Sequence, residues 1–176
     1  MFPFWDKTIG KIQGITYGSD GRLDVSSRSN PRYTYASQLG NLYSWTYSGP
    51  ILSGQYAIYI KSTNPVQKLN FESISLSSDV DGIFTPTAVS GDPSGGATCA
   101  GVNWSAIATA SAVGLCGNVQ GLTSLAKPSN LRSKGLSPTK IYNVDGAFIL
   151  GNGGAVAVAF SASGNVEINL VGYFEK

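Results

Sequence analysis

Residues 165–174, Asn165-Val166-Glu167-Ile168-Asn169-Leu170-Val171-Gly172-Tyr173-Phe174, carry the pattern that decides the fold. Val166, Ile168 and Leu170 fall on one side of an extended chain, and Glu167 and Asn169 fall on the other. Side chains repeat every two residues in a strand, so this alternation predicts a sheet with one buried and one wet face. Upstream, Lys140 to Val144, Ala147 to Leu150 and Gly154 to Phe160 read as further strands. Gly151-Asn152-Gly153-Gly154 and Ser161-Ala162-Ser163-Gly164 join them, and glycines and small polar residues suit such turns.

The same signals recur toward the N-terminus. Gln55 to Ser62 (QYAIYIKS) and Leu69 to Leu76 (LNFESISL) are rich in β-branched and aromatic residues,. Tyr33 and Tyr35, then Tyr43, Trp45 and Tyr47, keep a spacing of two, and Ile12 to Tyr17 and Arg22 to Ser26 flank the turn Ser19-Asp20-Gly21. Asp81-Gly82 precedes Ile83 to Val89, and Asp92-Pro93-Ser94-Gly95-Gly96 punctuates the chain again. Val102 to Thr109 and Ala112 to Cys116 read as strands, though their alanines leave room for a short helix. Residues 121–138 read as a long excursion with one helical turn at most. About ten short strands with turns every 8–12 residues predict an all-β antiparallel sandwich, jelly-roll-like, with little helix. Residues 12–176 are expected to form this single domain, and residues 1–11 an N-terminal arm.

Composition agrees. Charged residues make up 12 % of the 176, about half the usual share, which leaves too few long charged side chains to clothe exposed helices,. Hydrophobic residues make up 42 %, too many for a disordered chain,. The net charge of +2 argues against nucleic acid, since Asp6, Asp20 and Asp24 interrupt the cations of the first third,. No stretch approaches the roughly 18 apolar residues of a membrane span. The first residues lack the basic, apolar and small-residue order of a leader, which predicts a chain made soluble in a cytoplasm. Cys99 and Cys116 can close one disulfide or remain two thiols that never meet.

Catalytic chemistry finds little to work with. The chain has no histidine, which removes the commonest general base and metal ligand,. Most carboxylates stand in turns, as in Asp20-Gly21, Asp92-Pro93 and Asp145-Gly146, where Asp bonds the local backbone. Asp79-Val80-Asp81-Gly82 echoes a calcium loop but lacks the distal ligands, and a hairpin turn is the simpler reading. No enzyme, metal or cofactor is expected. The Tyr43, Trp45 and Tyr47 rings face away from Ser44 and Thr46, which points them at the core rather than at a sugar or a partner.

Part of the chain resembles a β-sandwich module of actinobacterial cell-surface proteins. The resemblance rests on Ser129-Asn130-Leu131, on Gly151-Asn152-Gly153-Gly154 and on Asn169 to Phe174, with Ala57 to Ile60 through Thr63-Asn64-Pro65 and Ile83 to Pro86 upstream. It implies a sandwich fold and a bacterial cell-surface binding role, with no catalytic residues. In style the chain also looks like the leaderless, low-charge decoration or cement proteins of tailed-phage capsids. That likeness implies a structural virion protein, a homotrimer at the virion surface adhering to the major capsid protein or another virion protein. The alternative is a cell-surface or tail-fibre module that recognises glycan or a surface protein. The expected contact residues are Phe2, Phe4 and Trp5 in the arm, and Leu122, Leu125 and Leu131 in the excursion.

Overall fold

The computed structural model describes residues 4–6, 11–13, 41–104, 110–125, 131–133, 139–144 and 147–175; for 4–6, 11–13 and 131–133 it describes the backbone alone. These residues hold fourteen strands and no helix. In chain order they are β1 (Phe4–Asp6), β2 (Lys11–Gln13), β3 (Leu42–Ile51), β4 (Tyr56–Ser62), β5 (Lys68–Ser78), β6 (Gly82–Ser94), β7 (Ala97–Thr98) and β8 (Val102–Asn103). They continue with β9 (Ala112–Ser124), β10 (Leu131–Ser133), β11 (Lys140–Asn143), β12 (Ile149–Leu150), β13 (Ala155–Phe160) and β14 (Gly164–Glu175). The count exceeds the ten expected because six of the strands are two or three residues long. Five others run from 10 to 13 residues and are not short.

Every pairing is antiparallel. Sheet I runs β10-β6-β13-β4-β9-β7; sheet II runs β11-β5-β14-β3-β8, with β12 beside β5. Consecutive strands take matching places in opposite sheets: β3 with β4, β5 with β6, β10 with β11, and β13 with β14. The row β3-β14-β5-β11 therefore faces β4-β13-β6-β10, which is the eight-stranded jelly roll,. The β7–β9 unit enters between β6 and β10 and widens both sheets beyond β3 and β4. The turns at Asp81-Gly82, 151–154 and 161–164 are thus arches from one sheet to the other, whereas residues 92–96 lead from β6 to β7 within sheet I. Asp81-Gly82 in particular does not turn a hairpin: β5 and β6 lie in different sheets. The excursion is also more regular than its sequence suggests, since Gly121–Ser124 extends β9 and Leu131–Ser133 pairs with β6. Ala112 to Cys116 is strand, not helix. The turn at Ser19-Asp20-Gly21 and the tyrosines 33 and 35 lie outside the described residues.

β14 holds the centre of sheet II. It pairs with β3 from Gly164 opposite Ile51 to Tyr173 opposite Leu42, and with β5 along its other edge. Val166, Ile168 and Leu170 are buried while Asn165 and Glu167 are exposed, as their alternation requires. In β5 the inward set changes parity, from Leu69 and Phe71 to Ile74 and Leu76. The β14 register skips Glu72 at that point, a bulge that keeps all four side chains on the core side,. Between the sheets Trp45, Phe71, Phe84, Phe160, Ile58, Ile60, Val156 and Val158 pack into one cluster. Phe84 and Phe160 stack at 4.5 Å, and Trp45 meets Phe71 at 5.9 Å.

Sheet I is buried on both faces at one end, which explains why YAIYI in β4 and AVAVAF in β13 are apolar almost without interruption,. β6 pairs with β13 as far as Val89, and from Val89 onward it pairs with β9, which is already the neighbour of β4. The four strands β6, β13, β4 and β9 therefore close a ring. Inside it lie Tyr59, Val89, Val119, Ala155 and Ala157, with Leu115 and Leu122 partly buried against them. Two glycines make the closure: a Cβ on Gly91 would stand 2.5 Å from the Gly121 carbonyl oxygen, and one on Gly121 would stand 2.5 Å from that of Asp92. Both have positive φ, so both the space and the backbone conformation call for glycine,.

Candidate interaction surface

The structure separates the expected contact residues into three places. Phe2 lies outside the described residues. Phe4 and Trp5 belong to β1, whose ladder partners are Gln13 and Ile12 of β2; this two-stranded sheet pairs with neither large sheet. Leu122 sits opposite Gly91 and packs against the cluster inside the ring. Leu125 and Leu131 come together on one edge of β6: the Leu125 N–H donates to the Ala88 carbonyl at 2.9 Å, and Leu131 stands opposite Phe84.

That edge belongs to a wider flank where β10, β11 and β12 end the two sheets. Leu125 is 65 % exposed there. Ile141, opposite Ser75 on the outer face of sheet II, is 73 % exposed, and Ile149, opposite Asn70, is more than half exposed. Neither isoleucine stood out in the sequence. In β11 the signal was present but weak, since Ile141 and Tyr142 are adjacent apolar residues and only Tyr142 turns to the core.

The opposite flank, at β8, carries a second exposed pair. Val102 is 64 % and Trp104 58 % exposed. Asn103 between them is buried and stands opposite Tyr43 of the core face, which leaves Val102 and Trp104 on the outer face of sheet II. The usual sense of alternation is inverted here, and for that reason sequence reasoning passed over Trp104. Trp45, by contrast, is wholly buried, with Tyr43 beside it and Tyr47 half-buried. The Tyr47 hydroxyl donates to the Pro50 carbonyl at 2.7 Å, and burial pushes its pKa up.

The β8 flank is tied down covalently. Cys99 and Cys116 form a disulfide with Cα atoms 5.6 Å apart, and no cysteine is free. Cys99 donates its N–H to the Gly114 carbonyl at 2.9 Å, so the sulfurs join diagonal positions of the β7–β9 ladder. Gly114 must lack a side chain because the Cys99 carbonyl oxygen occupies the place of its Cβ.

Asp79 is a clamp. Its two carboxylate oxygens accept from the backbone N–H and the side-chain amide of Asn165, each at 2.7 Å, tying the β5–β6 arch to the start of β14. The hydrogen bonds from the Asn165 side chain and backbone hold its pKa below the ordinary value of 3.8. Among the described residues no three His, Cys, Asp or Glu side chains gather closely enough to hold a metal ion. A depressed carboxylate pKa contributes stability above the unfolded-state value, and that contribution disappears as the pH falls through the folded-state value. Thermal melts of the wild type should therefore weaken below about pH 4 more steeply than those of Asp79→Asn, whose amide does not titrate. Parallel acid limbs for the two proteins would contradict the clamp.

Compared with known protein families, curated proteins and solved structures, the chain has no match.

Proposed function

We propose that this chain is a structural virion protein, a capsid decoration or cement module that works by adhesion as a homotrimer. The observation that carries the reading is the β10–β11–β12 flank of a jelly roll, where Leu125, Ile141 and Ile149 turn large apolar side chains to solvent. Exposed apolar groups gathered on one side of a domain are costly unless a partner covers them. Jelly rolls serve as shell and surface domains, an argument by analogy of fold. A cyclic trimer can cover such a flank between neighbouring copies and the shell beneath them. The disulfide suits a protein that ends outside a reducing cytosol, at the virion surface or on a bacterial surface.

Native mass spectrometry of the full chain should give a trimer, and the protein should co-sediment with capsid shells encoded by the same genome. Ile141→Asp should reduce both by at least tenfold, because a buried unpaired carboxylate at a contact is strongly unfavourable. A monodisperse monomer that ignores those shells would sink the proposal.

The cell-surface reading keeps one specific observation in its favour, the exposed indole of Trp104.

A further inference from the structure

We propose that the β8 edge of sheet II is a binding site for neutral saccharides, with Trp104 as the ring on which a sugar stacks. This goes beyond adhesion through the β10–β11–β12 flank and does not depend on it. The two flanks lie at opposite ends of sheet II, four strand spacings apart, or about 19 Å,.

Three observations carry the inference. The first is the indole itself: Trp104 and Val102 share the outer face and are each more than half exposed. A flat aromatic surface matches the apolar C–H face of a pyranose ring. The second is the character of the neighbouring positions. Moving inward along the ladder from Val102, the outer face presents Ser44 and Val171, then Thr46 and Asn169. The Thr46 hydroxyl donates to Asn169 Oδ1 at 3.0 Å, which leaves the amide N–H groups to donate and the hydroxyl oxygen to accept from sugar hydroxyls,. None of these side chains is ionised, and the nearest charge on this face of the β3–β14 ladder is Glu167, opposite Ser48. An uncharged, hydroxyl- and amide-bearing surface complements a neutral ligand rather than an acidic one. Leu42, whose carbonyl receives the Trp104 N–H, is itself buried with Tyr173 on this face, so the part a ligand can reach is Val102 and Trp104 and, further along, Thr46.

The third is preorganisation. The segment bearing Trp104 is held by the Cys99–Cys116 bond, five residues upstream, and pressed against the core at Gly101, where a Cβ would meet the Trp45 indole at 2.7 Å. An exposed aromatic fixed in this way loses little freedom when a ligand arrives.

The test is a glycan array of neutral and acidic oligosaccharides probed with the full-length protein, followed by calorimetric titration of the captured glycans. Capture of neutral glycans is expected. Trp104→Ala should weaken their binding at least tenfold, Trp104→Phe about threefold, and Asn169→Ala severalfold. The melting temperature of Trp104→Ala should stay within about 2 °C of wild type, since the side chain is exposed. Ile141→Asp should leave glycan binding intact, which separates this site from the adhesive flank. The inference fails if no neutral glycan is captured, if only acidic ones are, or if Trp104→Ala binds as well as wild type. It also fails if Trp104→Ala loses co-sedimentation with capsid shells while no glycan binds, because the edge is then a protein contact.

Discussion

Replacing Trp45 with alanine is expected to destabilise the protein by about 3–5 kcal/mol and to lower its melting temperature by roughly 6–20 °C. The indole is wholly buried and touches Phe71 and Tyr43, and through Gly101 it also supports the segment that leads into β8. Deleting it removes the largest apolar side chain of the core. The surrounding strands cannot collapse into the space, because β3 is locked along its full length to β14. The Trp45 Nε1–H has no hydrogen-bond partner among the described residues. Trp45→Phe therefore discards an unpaired polar group along with part of the ring, and should cost much less than alanine. Differential scanning calorimetry on the three proteins would check the order. A Trp45→Ala protein that melts with wild type would mean that the two sheets do not share this core.

Loss of the Cys99–Cys116 bond is the second large effect expected, about 3 kcal/mol from a loop closed across 17 residues, or roughly 6–12 °C in melting temperature,. The bond fastens β7 and β8, which are two residues long each and have few ladder hydrogen bonds of their own. A Cys99→Ser/Cys116→Ser variant should thus lose protection from amide exchange around residues 97–104 first, while β14 and β5 stay protected. Melting in the presence and absence of a dithiol reductant, with the double-serine variant as control, measures the cost. Equal melting temperatures for reduced and oxidised wild type would contradict it.

Much of the fold was legible in the residues. The alternation in Asn165 to Phe174 marks the strand that became the axis of sheet II, and the apolar runs in β4 and β13 mark strands covered on both faces. LNFESISL was read as a strand, and its bulge, where the inward set passes from Leu69 and Phe71 to Ile74 and Leu76, came only from the register against β14. Pairing order was not visible. A turn such as Asp81-Gly82 has the same local chemistry whether the chain folds back beside itself or crosses to the other sheet, and only the packing of both sheets decides. Nothing in the sequence singled out Gly91 and Gly121, whose role is a close approach between strands thirty residues apart. The candidate surface was legible in part. Leu125 was named as part of the excursion 121–138, but Trp104 sits where an apolar residue faces water and its polar neighbour Asn103 faces the core. Sequence alternation gives the two faces of a strand without saying which is which.

The innermost ladder of sheet II joins Leu42 to Tyr173 and Ile51 to Gly164, residues more than a hundred positions apart in the chain. During synthesis the core cannot close until β14 (Gly164–Glu175) has left the ribosome, since that strand is the shared partner of β3 and β5. Until then β3 and β5 each have one edge without its partner strand. Refolding in the range of milliseconds to seconds is the natural consequence of such sequence-distant pairing. The same delay makes the incomplete chain, rather than the finished protein, the species most prone to aggregate.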